Sequence, residues 1–173
     1  MSQQRESMPR ISRLTWNAAG PGQAVGQYVL GRVGTLRAEG AWSGAIAQGG
    51  DQRWHFKAGS KSVVVTAADR GAHAVGEYRS GTLHWGSREL RLGRAPGGDG
   101  FWHWFLPDFS GERRYALSDD GQIVAVLWSG RDWRLNPVNI QLVNATEADA
   151  GPLLLAAFVV AWLAMLDRNN DGL

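Results

Sequence analysis

The sequence predicts an all-β domain of the closed-barrel kind, finished by a single helix at its C-terminus. Three observations carry this. Apolar residues recur at every second position through most of the chain, as on half-buried strands. Clusters of Gly, Asp and Ser interrupt that alternation at short intervals. The last apolar segment, from Gly151 to Leu166, has no polar face.

Composition sets the frame for those elements. A chain of 173 residues, 44% hydrophobic and 20% charged, buries a real core and falls among globular proteins. Nine tryptophans supply large core volume, and 23 glycines against six prolines suit frequent tight turns. With no cysteine, neither a disulfide framework nor a thiolate metal site can form. The net charge of +2 is too small to point to nucleic acid. Lys57 and Lys61 are the only lysines among the basic residues, a bias that fits a GC-rich bacterial genome. Residues 1–10 (MSQQRESMPR) read as a disordered polar lead-in, without the apolar run of a secretory signal. The expected location is the cytoplasm.

Strands follow in order. Arg53-Trp54-His55-Phe56-Lys57 places Trp54 and Phe56 on one face and three polar groups on the other. Leu83 and Trp85 alternate with Thr82 and His84, and Leu90 and Leu92 with Glu89 and Arg91. Val138, Ile140 and Leu142 alternate with Asn139 and Gln141. Val63-Val64-Val65 and the run Ile123 to Trp128 are apolar at every position, which predicts cover on both faces. The turns fall at Gly49-Gly50-Asp51, Asp69-Arg70-Gly71, Pro96 to Gly100, Ser110-Gly111 and Asp119-Asp120-Gly121. Together they give about ten to twelve strands in a meander that becomes a sandwich or barrel. Ala24 to Tyr28 followed by Gly34-Thr35-Leu36 is similar to Ala74 to Tyr78 followed by Gly81-Thr82-Leu83. That similarity is either a duplicated hairpin or chance in a Gly/Ala-rich chain.

The final helix is expected near 152–167. Pro152 suits a first helical position, Thr146 and Asp149 a capping-box-like start, and Asn169 or Asn170 the exit before a polar tail, 169–173. From Leu153 to Leu166 every face is apolar, so protein or lipid must surround it. Fifteen or so residues span roughly 23 Å, short of the ~30 Å hydrocarbon layer and nearer the height of a barrel. Ala157, Ala161 and Ala164 form a small-residue stripe for a close wall, with Phe158 and Trp162 to fill the wider side.

Many short strands followed by GPLLLAAFVVAWL and a polar stop at Asp167-Arg168 resemble the tubby C-terminal-like superfamily, which includes the LURP-one-related proteins and the phospholipid scramblases. The resemblance covers roughly residues 11–168, read as one domain, and rests on layout and the helix. It implies about twelve antiparallel strands wrapped round a central hydrophobic helix, and an association with membrane lipids among eukaryotic relatives. It carries no site residue onto a numbered position of this chain.

The residues give no positive sign of catalysis. Asp167-Arg168-Asn169-Asn170-Asp171-Gly172 matches the start of an EF-hand loop, but a solvated helix exit explains it more simply than a calcium site. Phe101-Trp102-His103-Trp104-Phe105 reads as core packing before it reads as a stacking platform. His55, His73, His84 and His103 lack the spacing of a helical metal pair. Gly-x-Ser-x-Gly, phosphate-loop and dinucleotide-binding motifs are absent from the sequence. Arginines gather at Arg88, Arg91 and Arg94, at Arg113 and Arg114, and at Arg131 and Arg134, with Glu89, Glu112 and Asp132 among them. They would attract phosphates or lipid heads, or else form solvated rims.

The sequence therefore assigns no catalytic, cofactor-binding or metal residue and no cofactor. It points to a non-catalytic binding or scaffold domain whose partner is an anionic phospholipid or another protein. The alternatives are a lipocalin-like carrier with the helix packed outside the barrel, a tail-anchored protein, and a barrel enzyme with strand-borne residues.

Overall fold

The computed structural model describes the backbone of residues 11–17 and, with the side chains except that of Glu147, residues 27–69, 71, 73–94, 114–129 and 137–170. Arg70, Pro96 to Gly100, Phe101 to Phe105, Ser110-Gly111, Arg113, Arg131, Arg134 and Asp171-Gly172 lie outside the described residues, as does the Ala24 to Gly26 part of the internal similarity.

The described chain is antiparallel sheet with one helix behind it. The strands are β1 (Ile11–Asn17), β2 (Gln27–Leu30), β3 (Gly34–Glu39), β4 (Gly44–Gly49), β5 (Gln52–Ala58) and β6 (Ser62–Ala67). They continue as β7 (Ala74–Arg79), β8 (Thr82–Trp85), β9 (Arg88–Arg94), β10 (Arg114–Asp119), β11 (Gln122–Ser129) and β12 (Val138–Leu142). A 3-10 turn, Glu147–Asp149, leads into α1 (Ala150–Asn170). Strands β2 to β12 pair in sequence order, and β1 bonds to both ends of that ladder. Leu14 faces Val138 on one side and Leu30 on the other, so the strand circuit returns on itself.

Tight turns fix the register. Ser80-Gly81 joins β7 to β8 and Asp120-Gly121 joins β10 to β11, with φ of 48° and 86° in the first and 48° and 79° in the second. Two residues with positive φ give the turn whose twist matches that of the strands it joins. Alternation then sorts the side chains: Trp54, Phe56, Leu83, Leu90 and Leu92 are buried, while Arg53, His55, Lys57, His84, Glu89 and Arg91 are exposed.

Two expectations about doubly covered strands divide. Val124, Ala125, Val126 and Leu127 are all buried, and so are Gln141 opposite Val126 and Asn139 opposite Trp128, so the β11–β12 wall is covered on both faces. On β6 the expectation fails, because Val64 is 39% exposed between buried Val63 and Val65. Its β-branched run reflects strand propensity rather than two-sided burial.

The helix runs through the interior. From Leu153 to Trp162 no residue exceeds 4% exposure, which covers every face over more than two turns. Its neighbours come from around the circuit. Phe158 packs on Phe56 of β5 and on Trp42, with ring centroids 5.6 and 5.7 Å apart, and Trp162 meets Tyr78 of β7 at 6.5 Å. Further contacts come from β3, β4, β8, β11 and β12. The close wall is at β3 and β4, where a Cβ on Gly49 would sit 3.1 Å from the Ala150 methyl and one on Gly34 would sit 3.0 Å from Leu154 Cδ1. Trp42 holds a left-handed backbone (φ 61°), unusual for a bulky residue, and lies over both Tyr28 and Phe158.

The helix is also longer than the sequence suggests, with 21 residues from Ala150 to Asn170 rather than 152–167. Pro152 is its third residue, tolerated there because the N–H it lacks would have no partner within the helix. At about 1.5 Å per residue its length reaches roughly 31 Å, so length no longer separates it from a membrane span. Burial does: 72% of its most apolar 18-residue window is enclosed by the rest of the chain. Of the added residues, Ala150 and Gly151 precede Pro152 at the enclosed end, while Arg168 to Asn170 are polar and exposed.

Candidate functional site

Because the strands alternate in direction, the turns divide between two mouths of the sheet. The turns after β2, β4, β6, β8 and β10 share the mouth where α1 begins. Two constructions occupy it.

The first is an ion cluster that fixes the start of the helix. Arg88, at the first position of β9, donates from Nε and Nη2 to Asp119 Oδ2 (3.2 and 2.6 Å) and from Nη1 to Asp149 Oδ1 (2.8 Å). Asp149 Oδ2 accepts from the Thr146 backbone N–H (2.7 Å) and hydroxyl (3.1 Å). That is the carboxylate half of the capping-box arrangement expected from Thr146 and Asp149. Burial alone would push the Asp149 carboxyl up. The hydrogen bonds from Thr146 and Arg88, with the guanidinium charge, outweigh it and hold the group below the usual carboxylate range.

Of the three arginine groups, only Arg88, Arg91 and Arg94 lie wholly within the described residues. Arg88, Arg91 and Arg94 lie on one strand, about 20 Å from first to last. Arg88 is committed to two aspartates at one mouth, Arg91 is exposed on the outer face, and Arg94 ends the strand at the other mouth. They form no joint anion site. Arg114 is half-buried on β10.

Beside this cluster lies a cavity of about 560 Å³, between the turns after β4, β6 and β8. Trp54 and Trp85 line it, their rings edge to face with centroids 5.3 Å apart and planes at 74°. Trp85 fits because two glycines yield to it. A Cβ on Gly76 would come within 3.0 Å of its ring, and a Cβ on Gly151 of the helix would overlap it. Ala67, Ala68 and Ala74 keep the walls low. Asp51, Arg53 and Asp69 stand on the exposed margin, and none belongs to the ion pairs found among the described residues.

The three described histidines do not converge. His55 Nε2 lies 3.1 Å from Glu39 Oε2 on the outer face, while His73 and His84 are exposed elsewhere. Among the described residues no group of three His, Asp or Glu side chains could hold a metal ion. Sequence reasoning marked Asp51 and Asp69 only as turn residues and Trp54 and Trp85 only as core. The usable signal was parity: turns after alternate strands share a mouth, which groups these residues without coordinates. No protein-family model, curated protein or solved structure matches the chain.

Proposed function

We propose that the chain is a non-catalytic binding or scaffold domain built on the tubby-like plan, a closed barrel with a central hydrophobic helix, that works in the cytoplasm and uses its mouths and outer face to engage an anionic phospholipid or a protein partner. The observation that carries this reading is the encased helix. Helix α1 meets β3, β4, β5, β7, β8, β11 and β12, and its segment from Leu153 to Trp162 is buried on every face, so the interior is a packed core rather than a chamber for cargo. A lipocalin-like carrier needs its helix outside and its interior open, and buried Leu153 to Trp162 oppose both requirements. Among the described residues, the cluster of Arg88 with Asp119 and Asp149 holds the helix start, which leaves it little scope for acid–base work.

Co-sedimentation of the full chain with liposomes tests the lipid arm. Vesicles containing phosphatidylserine should retain the protein at low salt and release it as ionic strength rises, while phosphatidylcholine vesicles should not retain it. Equal recovery in the supernatant with both would remove the lipid arm and leave a protein partner.

A further inference from the structure

The geometry points to a small-molecule site in the cavity beside the start of α1, selective for a planar aromatic amine that is cationic at neutral pH. This goes beyond the binding role proposed above and does not depend on lipid association. At about 560 Å³ the cavity is within the range of small-ligand pockets and has room for a bicyclic ring system. Its apolar lining is the half-buried Trp85 indole with the nearly buried Trp54 beside it, together with Ala67, Ala68, Ala74 and Val75, and it favours an aromatic guest packed edge to face or offset against Trp85. The same electron-rich rings attract a cation over an anion.

The margin adds to that preference. Among the described lining residues, Asp51 and Asp69 supply two carboxylates against the guanidinium of Arg53, and no ion pair among the described residues neutralises them. A ring stacked on the indoles can therefore place an ammonium group toward either aspartate at the exposed edge, where it keeps part of its hydration. A carboxylate in the same place would meet two like charges. Because both aspartates are exposed, selectivity is modest and sensitive to salt.

Tryptamine and indole-3-acetate carry the same ring with opposite charges, and calorimetric titration of the full chain compares them directly. At low salt tryptamine should bind about tenfold more tightly, the joint effect of weak exposed pairs and a ring–cation contact. The double variant Asp51→Asn/Asp69→Asn, in exposed turns, should bring the two probes to near-equal affinity. Ala74→Phe, which fills the cavity from the start of β7, should abolish binding of both while leaving the melting curve intact. The proposal is overturned if tryptamine does not bind at millimolar concentration, if indole-3-acetate binds as well or better, or if the double variant keeps the full preference. Should Ala74→Phe fail to fold, the asparagine variant still decides.

Discussion

Phe158 measures how completely the sheet encloses the helix. Its side chain is wholly buried between Trp42 and Phe56, with centroids 5.7 and 5.6 Å away on either hand. Truncation to alanine removes the ring and leaves a hole that strands bonded to two neighbours each cannot easily close. Buried Phe→Ala changes cost about 3–5 kcal/mol, and the two ring contacts place this site near the top of that range. Domains of this kind are stable by about 5–15 kcal/mol, so the variant should stay folded but lose a large share of its margin. In urea, with an m-value of about 2 kcal/mol/M, the midpoint should fall by about 2 M without a change in slope. Far-UV circular dichroism is the suitable readout, because tryptophan emission would itself respond to the loss of the ring beside Trp42. A midpoint shift below about 0.5 M would refute the reasoning, because an unconfined ring is the only cheap one to remove.

Three further outcomes follow from the same packing. Ala161→Glu places a carboxylate where the side chain is 1% exposed, and the variant should be recovered in inclusion bodies rather than as folded protein; a near-normal melting curve would contradict an enclosed helix. Gly151→Ala drives a methyl group into the Trp85 indole and should cost about 1–3 kcal/mol, and Trp85→Phe in the same chain should recover much of that loss in thermal melts. Asp149 titrates below its ordinary range when folded, so its stabilising contribution is complete above about pH 4 and disappears as pH falls through the folded-state pKa. Asp149→Asn should therefore lose about 1–3 kcal/mol at neutral pH, and the gap to the parent chain should narrow in acid; a gap constant from pH 7 to about pH 2.5 would rule out the carboxylate as its source.

Much of the fold was legible because period-two burial follows directly from strand geometry. Trp54 with Phe56, Leu83 with Trp85, and Leu90 with Leu92 all turn inward as their spacing indicates. The helix was legible for the complementary reason, since a segment apolar all round has no face to offer water. Val64 misled because β-branched residues favour strands whether or not their outer face is covered. The helix ends misled because Ala150, Gly151 and the polar residues after Leu166 join it through backbone hydrogen bonding, which hydropathy does not register. Arg88 was read with Arg91 and Arg94 because they are close in sequence, whereas a strand spreads such residues over its length and both faces. The cavity was illegible for a related reason: its two indoles come from β5 and β8, and only the closing of the intervening hairpins brings them together.

The order of the elements along the chain has a consequence for biogenesis. The piece that fills the interior is translated after all twelve described strands, and the seam between β1 and β12 joins segments more than a hundred residues apart. Until α1 emerges, the nascent sheet has an oily lining and nothing to press it against, a species open to aggregation and to chaperone capture. Acquisition of the native state should therefore be abrupt and late. A nascent chain halted before Leu153 should be protease-sensitive throughout, with protection appearing in a single step once the helix clears the ribosome.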